Sequence, residues 1–193
     1  MANVKGFPKA FSAIKARDIY RGTVKHRGVM RHFGLIGRSL GHSFSKKFFT
    51  AKFQAEEILA DYELFELEDI SQIRNVVATH LLAGFNVTIP YKECILPYLD
   101  ELTDEARAIG AVNCVIVKDD KLVGHNTDVQ GIEATMQWIE PKEGTKALVL
   151  GSGGASKAVQ YVLRKLGVQY SVVSRNKSRG DITYDELNGD TIA

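Results

Sequence analysis

Lys92 and Asp128 have the side chains that proton transfer to or from an alcohol oxygen needs, provided that the fold brings them together in a cleft. Lys92 follows a predicted strand at residues 84–90, a position where α/β proteins tend to place their chemistry. As a proton donor it needs a lowered pKa, whereas as an electrostatic stabiliser it does not. Two plainer interpretations stay open: Lys92 as a solvated cation at a helix start, and Asp128 as a helix cap.

Other polar side chains at the ends of predicted strands would suit a polar substrate beside this pair. Asn86 and Thr88 share one face of the strand before Lys92, and Asn113 offers an amide near the following strand. Ser43 and Ser45 lie two residues apart in a loop that opens a helix, where hydroxyls and the helix N-terminus can hold a carboxylate. The plainer interpretation of these serines is helix capping.

A glycine-rich turn joins the predicted strand at residues 146–150 to the helix that follows. It consists of Gly151, Ser152, Gly153, Gly154 and Ala155. Such a turn lets the backbone approach a pyrophosphate closely, and the free N–H groups of the helix start point at it. Ser156 stands where the usual fingerprint has its third glycine, so a plain tight turn between strand and helix remains the alternative.

A cluster of hydroxyl and basic residues ends the next predicted strand, where NAD-binding proteins usually have Asp or Glu. Its members include Ser174, Arg175 and Arg179. An acid would repel a ribose 2′-phosphate, whereas guanidinium groups bind one bidentately. The cluster therefore favours NADP over NAD, with a solvated basic loop as the alternative.

Hydrophobic periodicity predicts the elements that must position these residues. The predicted strands lie at residues 33–37, 62–67, 84–90, 112–117, 121–125, 146–150 and 170–174. The predicted helices lie at residues 45–59, 70–82, 91–99, 103–109, 128–139 and from the glycine turn to residue 166. This alternation predicts an α/β fold with mostly parallel strands, and residues 141–144 are typical of a linker.

Composition narrows the class of protein. The 193 residues carry a formal net charge of +2, too little to indicate nucleic acid or an acidic membrane surface, and no apolar run reaches the roughly 20 residues of a membrane span. A cytoplasmic location is the default.

Cys94 and Cys114 lack metal-ligand spacing and are predicted to be buried free thiols. Residues 1–31 form a basic extension with a single acid, interpreted as a solvated segment or a misplaced start, with a transit peptide as the alternative.

Five motifs in order, G-x-x-x-x-H-S-x-S, N-V-T-x-P-x-K, G-A-V-N, G-x-N-T-D and G-x-G-G-A, resemble the shikimate dehydrogenase family over about residues 32–180. The resemblance implies reversible NADPH-dependent reduction of 3-dehydroshikimate to shikimate, in aromatic amino-acid biosynthesis. It implies a substrate-binding domain at residues 32–140 and a Rossmann-type NADP-binding domain at residues 145–193. The implied roles are substrate carboxylate binding by Ser43 and Ser45, a pocket lined by Asn86, Thr88 and Asn113, catalysis by Lys92 and Asp128, pyrophosphate binding by residues 151–155, and 2′-phosphate binding by Ser174, Arg175 and Arg179.

The sequence departs from the family's pattern in two places. Ser39 replaces the usual proline, and neither an N-T-T-P-x-G-M-type segment nor the closing helix follows the basic cluster. We therefore expect an incomplete cofactor domain, with low stability and little activity in a chain that acts on a small molecule as a monomer or homodimer. Two alternatives are a quinate/shikimate dehydrogenase that accepts NAD, and a shikimate-binding protein without catalysis.

Overall fold

The computed structural model describes residues 29–189, which form a six-stranded mixed sheet and a separate two-stranded parallel sheet. The strands are β1 (Arg31–Gly37), β2 (Ala60–Glu66), β3 (Leu82–Val87), β4 (Glu101–Leu102), β5 (Cys114–Lys118), β6 (Lys121–His125), β7 (Lys146–Leu150) and β8 (Gln169–Val173). The helices are α1 (Ser45–Ala55), α2 (Ile73–His80), α3 (Tyr91–Cys94), α4 (Asp104–Ile109), α5 (Asp128–Ile139) and α6 (Gly154–Lys165). The α/β class is confirmed. All but the last three residues of the predicted basic extension lie outside the described part.

The large sheet has the strand order β2-β1-β3-β5-β6-β4. The pairs β1–β2, β1–β3 and β4–β6 are parallel, whereas β3–β5 and β5–β6 are antiparallel. The carboxyl ends of β1 and β3 meet at one edge of the sheet. Because β5 runs the other way, its amino end reaches that same edge, so residues before β5 join residues that follow β1 and β3.

Successive side chains of β1 point to opposite faces of the large sheet, and both faces are buried. Phe33 and Leu35 pack on one side with Tyr62 and with aromatic residues of α1. Ile36 points to the other side, into the larger core that contains Phe85 and residues from α2, α3 and α4. A sheet covered on both faces explains why its strands are rich in apolar residues and lack a solvated face.

The β7–α6–β8 unit packs against the large sheet through a smaller cluster. Ala158 and Val162 of α6 meet Val129 of α5 together with Ile109 and Ala111. A separate core joins α6 to its own two strands, with Val149, Leu163 and Val172 buried. The two halves of the described chain are therefore in direct contact, on the side where the glycine turn begins α6.

Several predicted element ends are wrong, for local reasons. The helix predicted at residues 45–59 ends at Ala55, because Glu57 takes a positive φ of 53° and the chain turns toward β2. The helix predicted at residues 70–82 is a 3₁₀ turn followed by α2, and it ends at a left-handed Leu81 before β3. The helix predicted at residues 91–99 divides into α3 and a 3₁₀ turn, since Pro97 has no N–H to continue the ladder.

One predicted thiol setting is also wrong. Cys114 is buried at the start of β5, but Cys94 is exposed at the end of α3.

None of the helices in the described residues is long and apolar enough to cross a membrane. Within residues 29–189, no group of three or more His, Cys, Asp or Glu side chains could hold a metal ion.

Candidate active site

The structure brings Lys92 and Asp128 into direct contact. Lys92 Nζ donates to Asp128 Oδ2 over 2.7 Å, and the two side chains are 17% and 27% exposed. Lys92 therefore does not lie free in water. Asp128 does not cap its helix either, because Thr127 occupies the cap position and the carboxylate of Asp128 faces Lys92. The geometry thus favours the paired arrangement over both plainer interpretations from the sequence.

Asn113 holds the other oxygen of this carboxylate. Its Nδ2 donates to Asp128 Oδ1 over 2.7 Å and to Thr127 Oγ1 over 3.0 Å, while its Oδ1 accepts from the Thr127 N–H over 2.8 Å. Asn126 also holds this segment in place, since its Oδ1 accepts from the Asp128 N–H and its Nδ2 donates to the Ala111 carbonyl. A buried amide with all its partners satisfied fixes the orientation of Asp128 before any ligand arrives.

Backbone hydrogen bonds set the distance between the lysine and the amide. The N–H of Val112 donates to the Lys92 carbonyl over 2.7 Å, and the N–H of Val87 donates to the Asn113 carbonyl over 2.9 Å. Lys92 is thereby fastened to the segment that carries Asn113. These bonds follow from the antiparallel pairing of β3 and β5, whose register places Asn86 opposite Cys114.

Tyr62 is a site residue that sequence reasoning missed. Its buried hydroxyl donates to Asn86 Oδ1 over 2.8 Å, and its ring stacks on Phe49. Burial, with a smaller contribution from Cys114, raises the pKa of Tyr62 well above its usual range, so the phenol stays a donor. The alternation of β2 gave a possible signal, because Tyr62 is a polar-tipped residue on the strand's inward face.

The predicted carboxylate loop precedes α1 at the same edge of the sheet. Ser43 Oγ accepts from the Ser45 N–H over 3.2 Å in a local turn, but neither serine caps α1, because Phe44 occupies the cap position. The loop is attached to β2, since the Leu40 N–H donates to a Glu66 carboxylate oxygen. Thr88 lies just past the end of β3, where its methyl group packs over Gly37.

Two further polar residues escaped the sequence prediction. Thr127 lies between the partners of the network, but a threonine before a helix ordinarily indicates a cap. His125 lies two residues before Thr127, and burial lowers its pKa, which keeps the ring neutral near pH 7. No periodicity in the sequence marks either residue, since their partners come from other strands.

The glycine turn lies against Lys92. A Cβ atom added to Gly154 would come within 2.8 Å of Lys92 Cβ and 3.3 Å of Ala111 Cβ, so the close approach requires a glycine. Gly151 has a left-handed φ of 111°, which also favours glycine. Gly153, at the start of α6, has no side-chain cap, and a Cβ there would meet nothing within 4 Å. This open backbone at a helix N-terminus fits the pyrophosphate of a dinucleotide.

The basic cluster lies beside the turn. Ser174 is buried, and its hydroxyl is 2.9 Å from that of Ser152. Arg179 donates to the Ser152 carbonyl over 3.1 Å, while Arg175 is exposed. Lys177 is engaged elsewhere, because it pairs with Glu186. Arg179 therefore contacts the turn that would hold the pyrophosphate, and Arg175 is exposed in the segment that leads to it.

Comparison with known proteins identifies what this geometry resembles. Residues 35–115 match the family described as the shikimate dehydrogenase substrate binding domain. The shikimate dehydrogenase (NADP(+)) of Desulfitobacterium hafniense is 39% identical over 155 residues, which are 79% of this chain and 57% of that protein. The chain thus spans little more than half the length of such relatives.

Solved structures agree with the sequence comparison. Shikimate dehydrogenase 1 of Peptoclostridium difficile superposes with a TM-score of 0.74 at 37% identity, over 81% of this chain and 62% of that one. A quinate dehydrogenase of Corynebacterium glutamicum in complex with NAD gives a TM-score of 0.69 at 30% identity, over 78% of this chain and 57% of that one. The predicted resemblance and the fold class are confirmed.

Proposed function

We propose, from the match of residues 35–115 to the family described as the shikimate dehydrogenase substrate binding domain, that this chain serves the reversible NADPH-dependent reduction of 3-dehydroshikimate to shikimate. The observation that carries the proposal is the 2.7 Å contact between Lys92 Nζ and Asp128 Oδ2, beside the glycine turn. The name of the D. hafniense relative supports the choice of NADP as the cofactor.

Lys92 and Asp128 manage the proton of the reaction in this proposal. When bound, the reduced nicotinamide supplies a hydride to the carbonyl carbon. Lys92 donates a hydrogen bond to the developing alkoxide and supplies its proton, so that a hydroxyl results. Asp128 holds the ammonium group in place and is itself held by Asn113. In the reverse direction Lys92 takes the hydroxyl proton.

The remaining residues at this edge of the sheet bind the substrate. Ser43 and Ser45 hold the carboxylate, and Asn86, Thr88 and Asn113 line the pocket. The Tyr62 hydroxyl supports this role, because its bond to Asn86 Oδ1 turns the amide group of Asn86 into one orientation. Amides and hydroxyls that are fixed in advance bind a polyol with little loss of side-chain entropy.

The turn of Gly151, Ser152, Gly153, Gly154 and Ala155 cradles the pyrophosphate, and Ser174, Arg175 and Arg179 hold the 2′-phosphate. The glycine turn contacts Lys92, so a dinucleotide bound there would extend toward the catalytic pair. The proposal also includes a cytoplasmic location. It further includes a monomer or homodimer, and sedimentation of the purified chain would test this oligomeric state. Domain limits of 32–140 and 145–193 complete it.

The test is shikimate-dependent reduction of NADP⁺ by this chain and by Lys92→Ala, with shikimate binding measured by calorimetry on both. We expect the substitution to lower the rate at least about 100-fold, since general acid–base catalysis contributes that much, and to leave affinity within a few-fold. Lys121→Ala is the matched control, because Lys121 forms an exposed pair with Glu101 on the opposite part of the sheet.

Different outcomes separate the alternatives. A normal rate with lost affinity in Lys92→Ala would make Lys92 a substrate ligand and remove it from catalysis. Shikimate binding without any rate, both in this chain and in a version extended to a full cofactor domain, would favour a binding protein that transfers no hydride. Quinate and NAD⁺ run in parallel test the other alternative, which the likeness to a quinate dehydrogenase raises and the basic cluster opposes.

A further inference from the structure

Glu93 joins the two halves of the described chain through both of its carboxylate oxygens. Its Oε2 accepts from Lys157 Nζ of α6 over 2.6 Å, and its Oε1 lies 3.4 Å from Arg179 Nη2. Glu93 directly follows Lys92 in α3, whereas both of its cationic partners belong to the β7–α6–β8 unit and the loop after it. One carboxylate thus links the helix of the proposed catalytic lysine to the proposed cofactor site.

The contact with Arg179 coincides with the place of a proposed phosphate ligand. The same Arg179 Nη2 that faces Glu93 donates to the Ser152 carbonyl in the glycine turn. A guanidinium group that binds a phosphate bidentately must turn two N–H groups toward it. Arg179 cannot present this nitrogen fully to a phosphate while it faces Glu93, and an adjacent carboxylate repels the phosphate as well.

The second cation makes an exchange of partners physically reasonable. When Arg179 leaves Glu93, the carboxylate keeps Lys157 at 2.6 Å and is not left unpaired. The Arg179 side chain is 52% exposed, so it can move without disturbing the core. Removing one partner of a pair is costly when the other stays buried and uncompensated, and that cost is absent here.

We propose that Glu93 competes with the ribose 2′-phosphate for Arg179, and so lowers the preference of this chain for 2′-phosphorylated nucleotides. The inference rests on the proposed function, because it takes Arg179 as a phosphate ligand. It makes Glu93 a specificity-determining residue of the cofactor site, although Glu93 belongs to the substrate-binding half.

The experiment measures binding of adenosine 2′,5′-bisphosphate and of AMP to the full chain by calorimetry. Glu93→Gln keeps the shape of the side chain and removes its charge. We expect it to tighten the bisphosphate about two- to five-fold, the range of an exposed ion pair, and to leave AMP nearly unchanged. Glu133→Gln is the matched control, since Glu133 forms a similar 2.6 Å pair with Lys165 of α6.

A second background tests whether the effect passes through Arg179. In an Arg179→Gln chain, Glu93→Gln should no longer improve bisphosphate binding, because the guanidinium group for which the carboxylate and the phosphate compete is gone. An equal gain in that background would overturn the inference and leave general repulsion as the cause. Circular dichroism on each variant verifies that the chain is folded.

The outcomes distinguish this inference from the function on which it rests. A wild-type chain that prefers the bisphosphate over AMP, with unchanged or weaker bisphosphate binding in Glu93→Gln, would overturn the role of Glu93 alone. If neither the wild-type chain nor Glu93→Gln preferred the bisphosphate over AMP, the proposed NADP site and the competition would both be overturned.

Discussion

The large sheet and the β7–α6–β8 unit hold their proposed site residues in different ways. Lys92, Asp128 and Asn113 are linked by hydrogen bonds of 2.7 Å and lie largely shielded from solvent at one edge of the large sheet. Arg175 and Arg179 are exposed on a loop, and Arg179 is held by surface contacts that a ligand can replace. The proposed proton-transfer geometry is therefore part of the fold, whereas the proposed phosphate site would be completed when its ligand binds.

The same contrast appears in how the two regions are packed. Phe85 in β3 is fully buried because helices and loops cover both faces of the large sheet. Leu150 at the end of β7 is 65% exposed, and α6 covers one face of its two strands. Local opening should thus start in the β7–α6–β8 unit, which has fewer buried apolar neighbours.

The largest expected effect would come from removing a core ring of the large sheet. Phe85→Ala should lower the free energy of unfolding by about 3–5 kcal/mol, as deletion of a buried aromatic side chain does. Leu163→Ala in the smaller core should cost less, toward about 2 kcal/mol, since a unit near solvent collapses more easily around the cavity. Urea unfolding of both variants measures this, and an equal loss at the two positions would erase the contrast.

A glycine pair tests the contact between the two regions. Gly154→Ala would push a methyl group to 2.8 Å from Lys92 Cβ, which should destabilise the chain by about 1–3 kcal/mol and displace the lysine. Gly131→Ala, within α5, meets nothing within 4 Å and should stabilise the chain by about 0.5–1 kcal/mol. Thermal melts give the sign of each change. Two stabilising substitutions would show that the turn does not press on Lys92.

The smallest expected effect concerns Tyr62. Tyr62→Phe removes the hydrogen bond to Asn86 and should cost about 1 kcal/mol. Because the folded pKa is raised above the unfolded value near 10, ionisation favours the unfolded chain, and stability falls as pH rises from about 10. The variant should lose less stability over that interval than the wild type. Tyr184→Phe, which removes the hydroxyl of an exposed tyrosine, serves as the control and should leave the stability at neutral pH nearly unchanged.

Sequence patterns predicted the elements best where local signals agree. Helix α5 at residues 128–139 and strand β7 at residues 146–150 match their predicted bounds, because apolar periodicity and the flanking Pro141, Gly144 and Gly151 indicate the same limits. Thr103 caps α4, with its hydroxyl accepting from the Ala106 N–H, as a threonine before a helix commonly does. The predicted end of the helix at residues 45–59 is wrong because Leu59 continues the apolar periodicity in the sequence, although its side chain is 53% exposed in the structure.

The candidate site was predictable as a set of residues but not as a network. Lys92, Asp128 and Asn113 stand out by type and by position after strands, and the motif order connects them. Tyr62, Thr127 and Glu93 did not stand out, since each acts through a partner at least fourteen residues away or through a neighbour on another strand. Such partners depend on the strand order, which periodicity does not give.

The backbone bond between the Val112 N–H and the Lys92 carbonyl has a consequence for sequence drift. It closes the stretch between these two residues into a loop whose ends stay together whatever its exposed part contains. Substitutions at the exposed positions around Glu101 should therefore leave the spacing between Lys92 and Asn113 unaltered. The main chain preserves this spacing, which leaves the surface beyond it free to diverge.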